Sequence, residues 1–248
     1  MTAEQWKYFR KFREDFQRKV DEWTSASPDL LRLQHEATKI AKNTDYPFET
    51  PVVYNRSLDD VSKEDEIKLI VIGDNPGKDE QLAKNNRYLV GQAGKIAEGY
   101  FRKNPQLGID FRKNVIILNK TPIHSAKTIQ LNTVAKLGGE PVSRLIKESQ
   151  IWMAKKTAEL HARLGTELWL VGYSELKDKK IFVPYREALK DNCCDEAWKR
   201  VYVFQHFSMN RFSIDLTDYI KAHKKEKAPL EGNIHELGLL HRKEIFGC

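Results

Sequence analysis

The chain has 248 residues, 40% of them hydrophobic, with 42 Lys+Arg against 35 Asp+Glu and a formal charge of +7. That supplies a core for one moderate domain with an added helical segment. There is no run of about 18 apolar residues to cross a membrane, and MTAEQWKYFRKFRED lacks the apolar core and cleavage site of a secretory signal.

In chain order, residues 4–23 place Trp6, Phe9, Phe12, Phe16, Val20 and Trp23 at spacings of three and four, which predicts an amphipathic helix. A second helix is expected over about 29–42, with Ser27 as its cap and Pro28 at its first position. Residues 43–66 read as an extended polar connection. Strands are expected at 67–73, 114–119, 167–172 and 200–206, where aliphatic and β-branched residues run together. Between them, Ala93, Ile96, Ala97, Tyr100 and Phe101 share one helical face after Gly91, and a longer helix is expected over about 142–164. Strands alternating with helices predict an α/β fold, three-layer α/β/α around a central, mainly parallel four-stranded sheet, plus N-terminal helices. The expected organisation is a helical extension over 1–60 packed on the core, an α/β domain over 61–223 and a C-terminal tail over 224–248.

All four strands run into polar or glycine-rich residues: Asp74-Asn75, Asn119-Lys120, Gly172-Tyr173 and His206-Phe207-Ser208. The first is the sharpest break, because Pro76 cannot donate to a sheet ladder and holds Asn75 extended. Parallel strands bring these ends to one edge, where open α/β sheets place their sites. Each residue alone also fits an ordinary turn cap. A P-loop is excluded, since no Gly-x4-Gly-Lys-Ser/Thr sequence is present. The basic clusters at Arg102-Lys103, Arg112-Lys113, 177–180 and 221–227 suit either a solvated face or a nucleic-acid partner.

Together these segments resemble the uracil-DNA glycosylase superfamily over about residues 67–220. Its first motif, Gly-x-(Asn/Asp/Ala)-Pro, is matched by Gly73-Asp74-Asn75-Pro76-Gly77; the Asn after an intermediate strand is matched by Asn119. The second motif, which opens with His, is matched by His206-Phe207-Ser208-Met209-Asn210-Arg211, with Phe207 where proline is usual. Arg87-Tyr88-Leu89-Val90-Gly91-Gln92-Ala93-Gly94 is similar to a segment of the iron–sulfur branch, whereas Asn75 matches the thymine/mismatch and single-strand-selective branches. The iron–sulfur branch needs four Cys ligands. Only Cys193, Cys194 and Cys248 are present, so no cluster, metal or cofactor is expected.

The resemblance implies hydrolysis of the N-glycosidic bond of a flipped-out uracil or related deaminated base in DNA. It implies that His206 donates a hydrogen bond to the leaving base, that Asn75 positions water and that Asn119 reads the base edge. Asp74 contributes its backbone to the pocket and is also a candidate base. Tyr88 aligns with the aromatic residue on which the base stacks. Ser208, Met209, Asn210 and Arg211 form the loop that enters the duplex, and Gly91 and Gly94 border a helix N-terminus suited to phosphate. Lys120 and His124 are placed along the DNA groove. A monomeric DNA-repair enzyme of the cytoplasm or nucleus is expected; the alternatives are a DNA-binding relative with impaired catalysis and a hydrolase of small nucleobase compounds.

Overall fold

Four short runs of aliphatic residues form the sheet: β1 (Leu69–Gly73), β2 (Val115–Asn119), β3 (Glu167–Val171) and β4 (Val201–Phe204). The computed structural model describes residues 1–247, and Cys248 lies outside the described residues. All strand pairs are parallel, in the order β2-β1-β3-β4, so the sheet is wholly rather than mainly parallel. Register pairs Gly73 with Asn119, Ile72 with Leu170 and Val171 with Phe204, so the carboxyl ends finish at one edge. Every strand residue except Glu167 is buried, as a parallel sheet covered on both faces requires.

The helices are α1 (Ala3–Ala26), α2 (Leu30–Ile40), α3 (Gln92–Lys103), α4 (Gln130–Leu164), α5 (Val183–Asn192), α6 (Asp195–Trp198), α7 (Arg211–Ala222) and α8 (Leu230–Phe246). From β1 the chain steps outward to β2, then reverses to reach β3 and β4. Right-handed crossovers therefore put α3 on one face and α4 with α5 on the other. Phe101 of α3 and Phe212 of α7 meet Trp169 on the first face, with ring centroids 5.6 and 5.8 Å apart. The reversal opens a crevice between the ends of β1 and β3, the topological switch point of such sheets.

The apolar face of α1 buries Phe9, Phe12, Phe16, Val20 and Trp23. Phe16 stacks on Trp152 of α4 and Trp23 meets the same ring edge to face, so the N-terminal helices join the single hydrophobic core. Ser27 terminates α1 rather than capping α2, which begins at Leu30 after Asp29. The sequence expectation captured only the second part of α4: Gly139 breaks it at φ 64°, and Pro141 starts the next helical run. The expected tail folds as α8, which buries Ile234, Leu237 and Ile245. No helix among the described residues is long and apolar enough to cross a membrane.

Two glycines of α3 separate packing from propensity. A Cβ at Gly94 would overlap the Leu89 carbonyl, whereas one at Gly99 meets nothing within 4 Å. Gly94→Ala is expected to lower unfolding stability in urea by at least about 2 kcal/mol, while Gly99→Ala raises it by roughly 0.5–1 kcal/mol.

Candidate active site

The turn after β1 is held from three sides. Asn75 Nδ2 donates to the carbonyl and the hydroxyl of Ser125, each at 3.0 Å, and lies 3.1 Å from the Pro76 carbonyl. Asn75 Oδ1 accepts from Thr128 Oγ1 at 3.0 Å. Buried His124 donates from Nδ1 to the Pro76 carbonyl at 2.8 Å, and its Nε2 accepts from the Tyr46 hydroxyl at 2.9 Å. Burial pushes the His124 pKa down to about 4, so the ring is neutral. His124 thus supports the turn from behind and does not line a groove.

Lys120 is also withdrawn from any groove. Its side chain has 0% exposure, and Nζ donates to Asp74 Oδ1 and to the Val171 carbonyl, both at 2.6 Å. Burial lowers its pKa, and Asp74 opposes that shift. Gly172 sits against this pair at φ 95°, where a Cβ would overlap the Asp74 carboxylate. The second Asp74 oxygen accepts from Thr128 Oγ1 at 3.4 Å.

Asp74, Asn75, Ser125, Thr128 and Gly172 line a cleft of about 720 Å³ along the carboxyl edge of the sheet. Asp74, Asn75, Asn119, Gly91, His206, Ser208 and Met209 all line it. Asn119 is 2% exposed and its Nδ2 has no partner among the described residues, a costly state unless a ligand supplies one. His206 Nδ1 accepts the Ser208 N–H at 3.1 Å, with Ser208 Oγ at 2.8 Å. A ring nitrogen that accepts a backbone N–H carries no proton, so neutral His206 bears its proton on Nε2. Burial lowers the His206 pKa below 6.5, Lys120 lowers it further and Asp74 opposes both, which favours this neutral donor. Ser208 therefore orients His206 in addition to bordering the cleft.

The structure corrects two other expectations. Tyr88 is fully buried and outside the cleft: its hydroxyl donates to the Val53 carbonyl at 2.6 Å and its N–H to Asn55 Oδ1 at 3.1 Å, which turns the ring toward 53–55. Leu89 occupies the cleft wall instead. Gly94 packs on the Leu89 carbonyl and presents nothing to a phosphate, whereas Gly91 starts α3 at the cleft edge. Asn210 and Arg211 are exposed beside Met209, and Asn210 lines a basic groove with Lys95, Arg102 and Lys103. Phe207 packs on Phe212 and Phe111, so an aromatic anchor holds the loop where proline is usual.

Sequence reasoning missed Glu80, Ser125 and Thr128. Glu80 is buried on the cleft wall, and its carboxylate accepts the Gly77 N–H at 3.0 Å. A Glu three residues beyond a turn glycine is half of a capping box, the one sequence signal available for it. Burial pushes its carboxyl up to about 7, against the pull of the Gly77 and Leu89 N–H groups. The folded protein thus holds this proton more tightly than the unfolded chain. The stabilisation it brings is complete below about pH 4.5 and is lost as pH rises toward 7. Glu80→Gln lacks that loss: its stability relative to wild type, followed by urea unfolding, should climb by about 3 kcal/mol from pH 4.5 to 7.

Comparison of the chain with protein-family models, curated proteins and solved structures finds no match.

Proposed function

We propose that this protein is a DNA glycosylase that hydrolyses the N-glycosidic bond of an extruded uracil or related deaminated base. The observation that carries the reading is the pairing of a neutral His206 N–H donor with the buried, unpartnered Asn119 amide on one cleft. A base leaving as an anion needs a donor where its charge develops and an amide to match its edge. The resemblance of Gly73–Gly77, Asn119 and His206 to superfamily motifs supports the same reading.

In this mechanism DNA presents the base to Asn119, whose amide donates to O4 and accepts from N3–H. Leu89, rather than Tyr88, supplies the adjoining apolar surface. As the C1′–N1 bond breaks, its electron pair leaves with the base and His206 Nε2–H stabilises the charge that develops on O2. Water adds to C1′ through its oxygen and passes its proton to the Asp74 carboxylate, from which it returns through solvent to neutralise the departed base anion. We assign the orientation of that water to Asp74, because Asn75 spends its Nδ2 on Ser125 and accepts from Thr128 through Oδ1. Asp74, by contrast, keeps one oxygen toward the cleft while Lys120 holds the other. Lys95, Arg102 and Lys103, in the groove that Asn210 lines, suit a phosphate backbone.

The test is single-turnover incubation with single- and double-stranded oligonucleotides bearing uracil, hypoxanthine or xanthine, followed by alkaline cleavage at abasic sites. Strand cleavage is expected from at least one of them. His206→Ala and Asp74→Asn should each slow it by about 10²–10³, and Asn119→Ala by a similar factor. No cleavage of any substrate, with DNA binding intact, overturns the enzymatic reading in favour of a binding protein.

A further inference from the structure

The amino end of the sheet, opposite the cleft, carries a second gathering of polar groups. Glu167 opens β3, and Glu231 and His235 lie on α8 at the i,i+4 spacing that puts two side chains on one helix face. Their donor atoms, two carboxylate oxygens and an imidazole nitrogen, lie within 4.8 Å of one another. All three residues line a cavity of about 200 Å³, to which Leu107, Ile109 and Ile234 add apolar surface.

Two of the donors are held in place by their neighbours. Trp169, two residues along the same face of β3, donates its indole N–H to Glu167 Oε2 at 2.8 Å, which leaves Oε1 to the cavity. The His235 ring lies nearly flat on Tyr202, with centroids 4.6 Å apart and planes at 10°. His235 Nε2 and Glu167 Oε1 are 2.6 Å apart and share a proton. In a chain of charge +7, neither glutamate has a Lys or Arg ion pair among the described residues. Lys68 lines the same cavity but gives its ammonium to the Gly108 carbonyl at 2.9 Å and to Glu66 at 3.5 Å. The Glu231 carboxylate has no hydrogen-bond partner among the described residues.

We infer that Glu167, Glu231 and His235 are the ligands of a zinc ion that ties the start of α8 to the start of β3. An imidazole with two carboxylates suits Zn²⁺, whereas Mg²⁺ favours oxygen donors and keeps its waters. Three protein ligands leave the fourth tetrahedral position to a water molecule, and bonds of about 2.0–2.2 Å place neighbouring donors roughly 3.4 Å apart. His235 and Glu167 therefore spread slightly as the ion replaces their shared proton, which passes to solvent. Glu231, exposed at the first turn of α8, swings in to complete the set. Cysteine spacing gives no sign of this site, because no thiol takes part in it. The site stands apart from the cleft and does not rest on the glycosylase reading.

The test is calorimetric titration of the tag-free chain, first stripped with a chelator, with ZnCl₂ and with MgCl₂. Wild type is expected to bind a single Zn²⁺ with a micromolar or tighter dissociation constant and to unfold at a higher temperature with the ion than without it. MgCl₂ should do neither. Glu231→Gln and His235→Ala should each weaken Zn²⁺ binding by at least about tenfold and remove the thermal shift. Glu231→Gln decides the matter, because it breaks no bond of the metal-free fold and should unfold with metal-free wild type. Absence of zinc binding by wild type overturns the inference, as does an affinity unchanged in Glu231→Gln. A loss of binding in the Cys193→Ser/Cys194→Ser double variant, or equal affinity for Mg²⁺, overturns it as well.

Discussion

The carboxyl edge of the sheet is organised around one buried charge, the Lys120 ammonium. It extends from the end of β2, bonds the Val171 carbonyl at the end of β3 and meets the Asp74 carboxylate just past the end of β1. Its own backbone N–H bonds the Gly73 carbonyl at 3.0 Å. Taking an ammonium out of water carries a penalty of several kcal/mol, offset only by a partner held in good geometry. Three strand ends must therefore meet at fixed distances, and the crevice at the topological switch point inherits that rigidity. Removing either partner alone would leave the other charge buried without compensation.

From this constraint follows a division of labour in the turn. Asp74 is anchored through one oxygen and presents the other to the cleft, while Asn75 staples the β1 turn to the Ser125–Thr128 segment. His206 is oriented by Ser208, and that loop is in turn anchored by Phe207 in the aromatic cluster with Phe212. Asp74 and His206 are thus each fixed by a neighbouring side chain, Lys120 and Ser208. This is the support that catalytic geometry requires. The proposed excision mechanism needs little else from the protein, because the leaving base and the water do the bond-making and bond-breaking.

Much of the fold was legible because strands and turns write local signals. The aliphatic run 67–73 and its Gly-Asp-Asn-Pro-Gly break located β1 to within two residues, and the resemblance directed attention to Asn119 and His206, which the structure brings to the same cleft. What stayed hidden depends on tertiary partners. Tyr88 lies in a motif-like segment, yet the Val53 carbonyl and the Asn55 side chain decide which way its ring turns. Nothing local marks Lys120 or His124 as buried, since a Lys or His after a strand is ordinarily solvated. Ser27-Pro28 carries a helix-start signal, but the tight connection between α1 and α2 takes Ser27 as the end of the first helix. The 224–248 segment reads as a tail because the Lys-rich stretch at its start suggests a loosened chain; the helix forms by covering β4, with Gly238 close to Tyr202 and Phe204.

The most direct test of the account is a crystal structure of the protein bound to a duplex carrying 2′-fluoro-deoxyuridine, whose glycosidic bond resists hydrolysis. The account predicts the uracil extruded into the cleft. Its O2 should lie within hydrogen-bond distance of His206 Nε2, its O4 and N3 should meet the Asn119 amide, and a water should bridge Asp74 and C1′. A uracil left stacked in the helix, or a base lodged in the cleft without contact to Asn119 and His206, would contradict it.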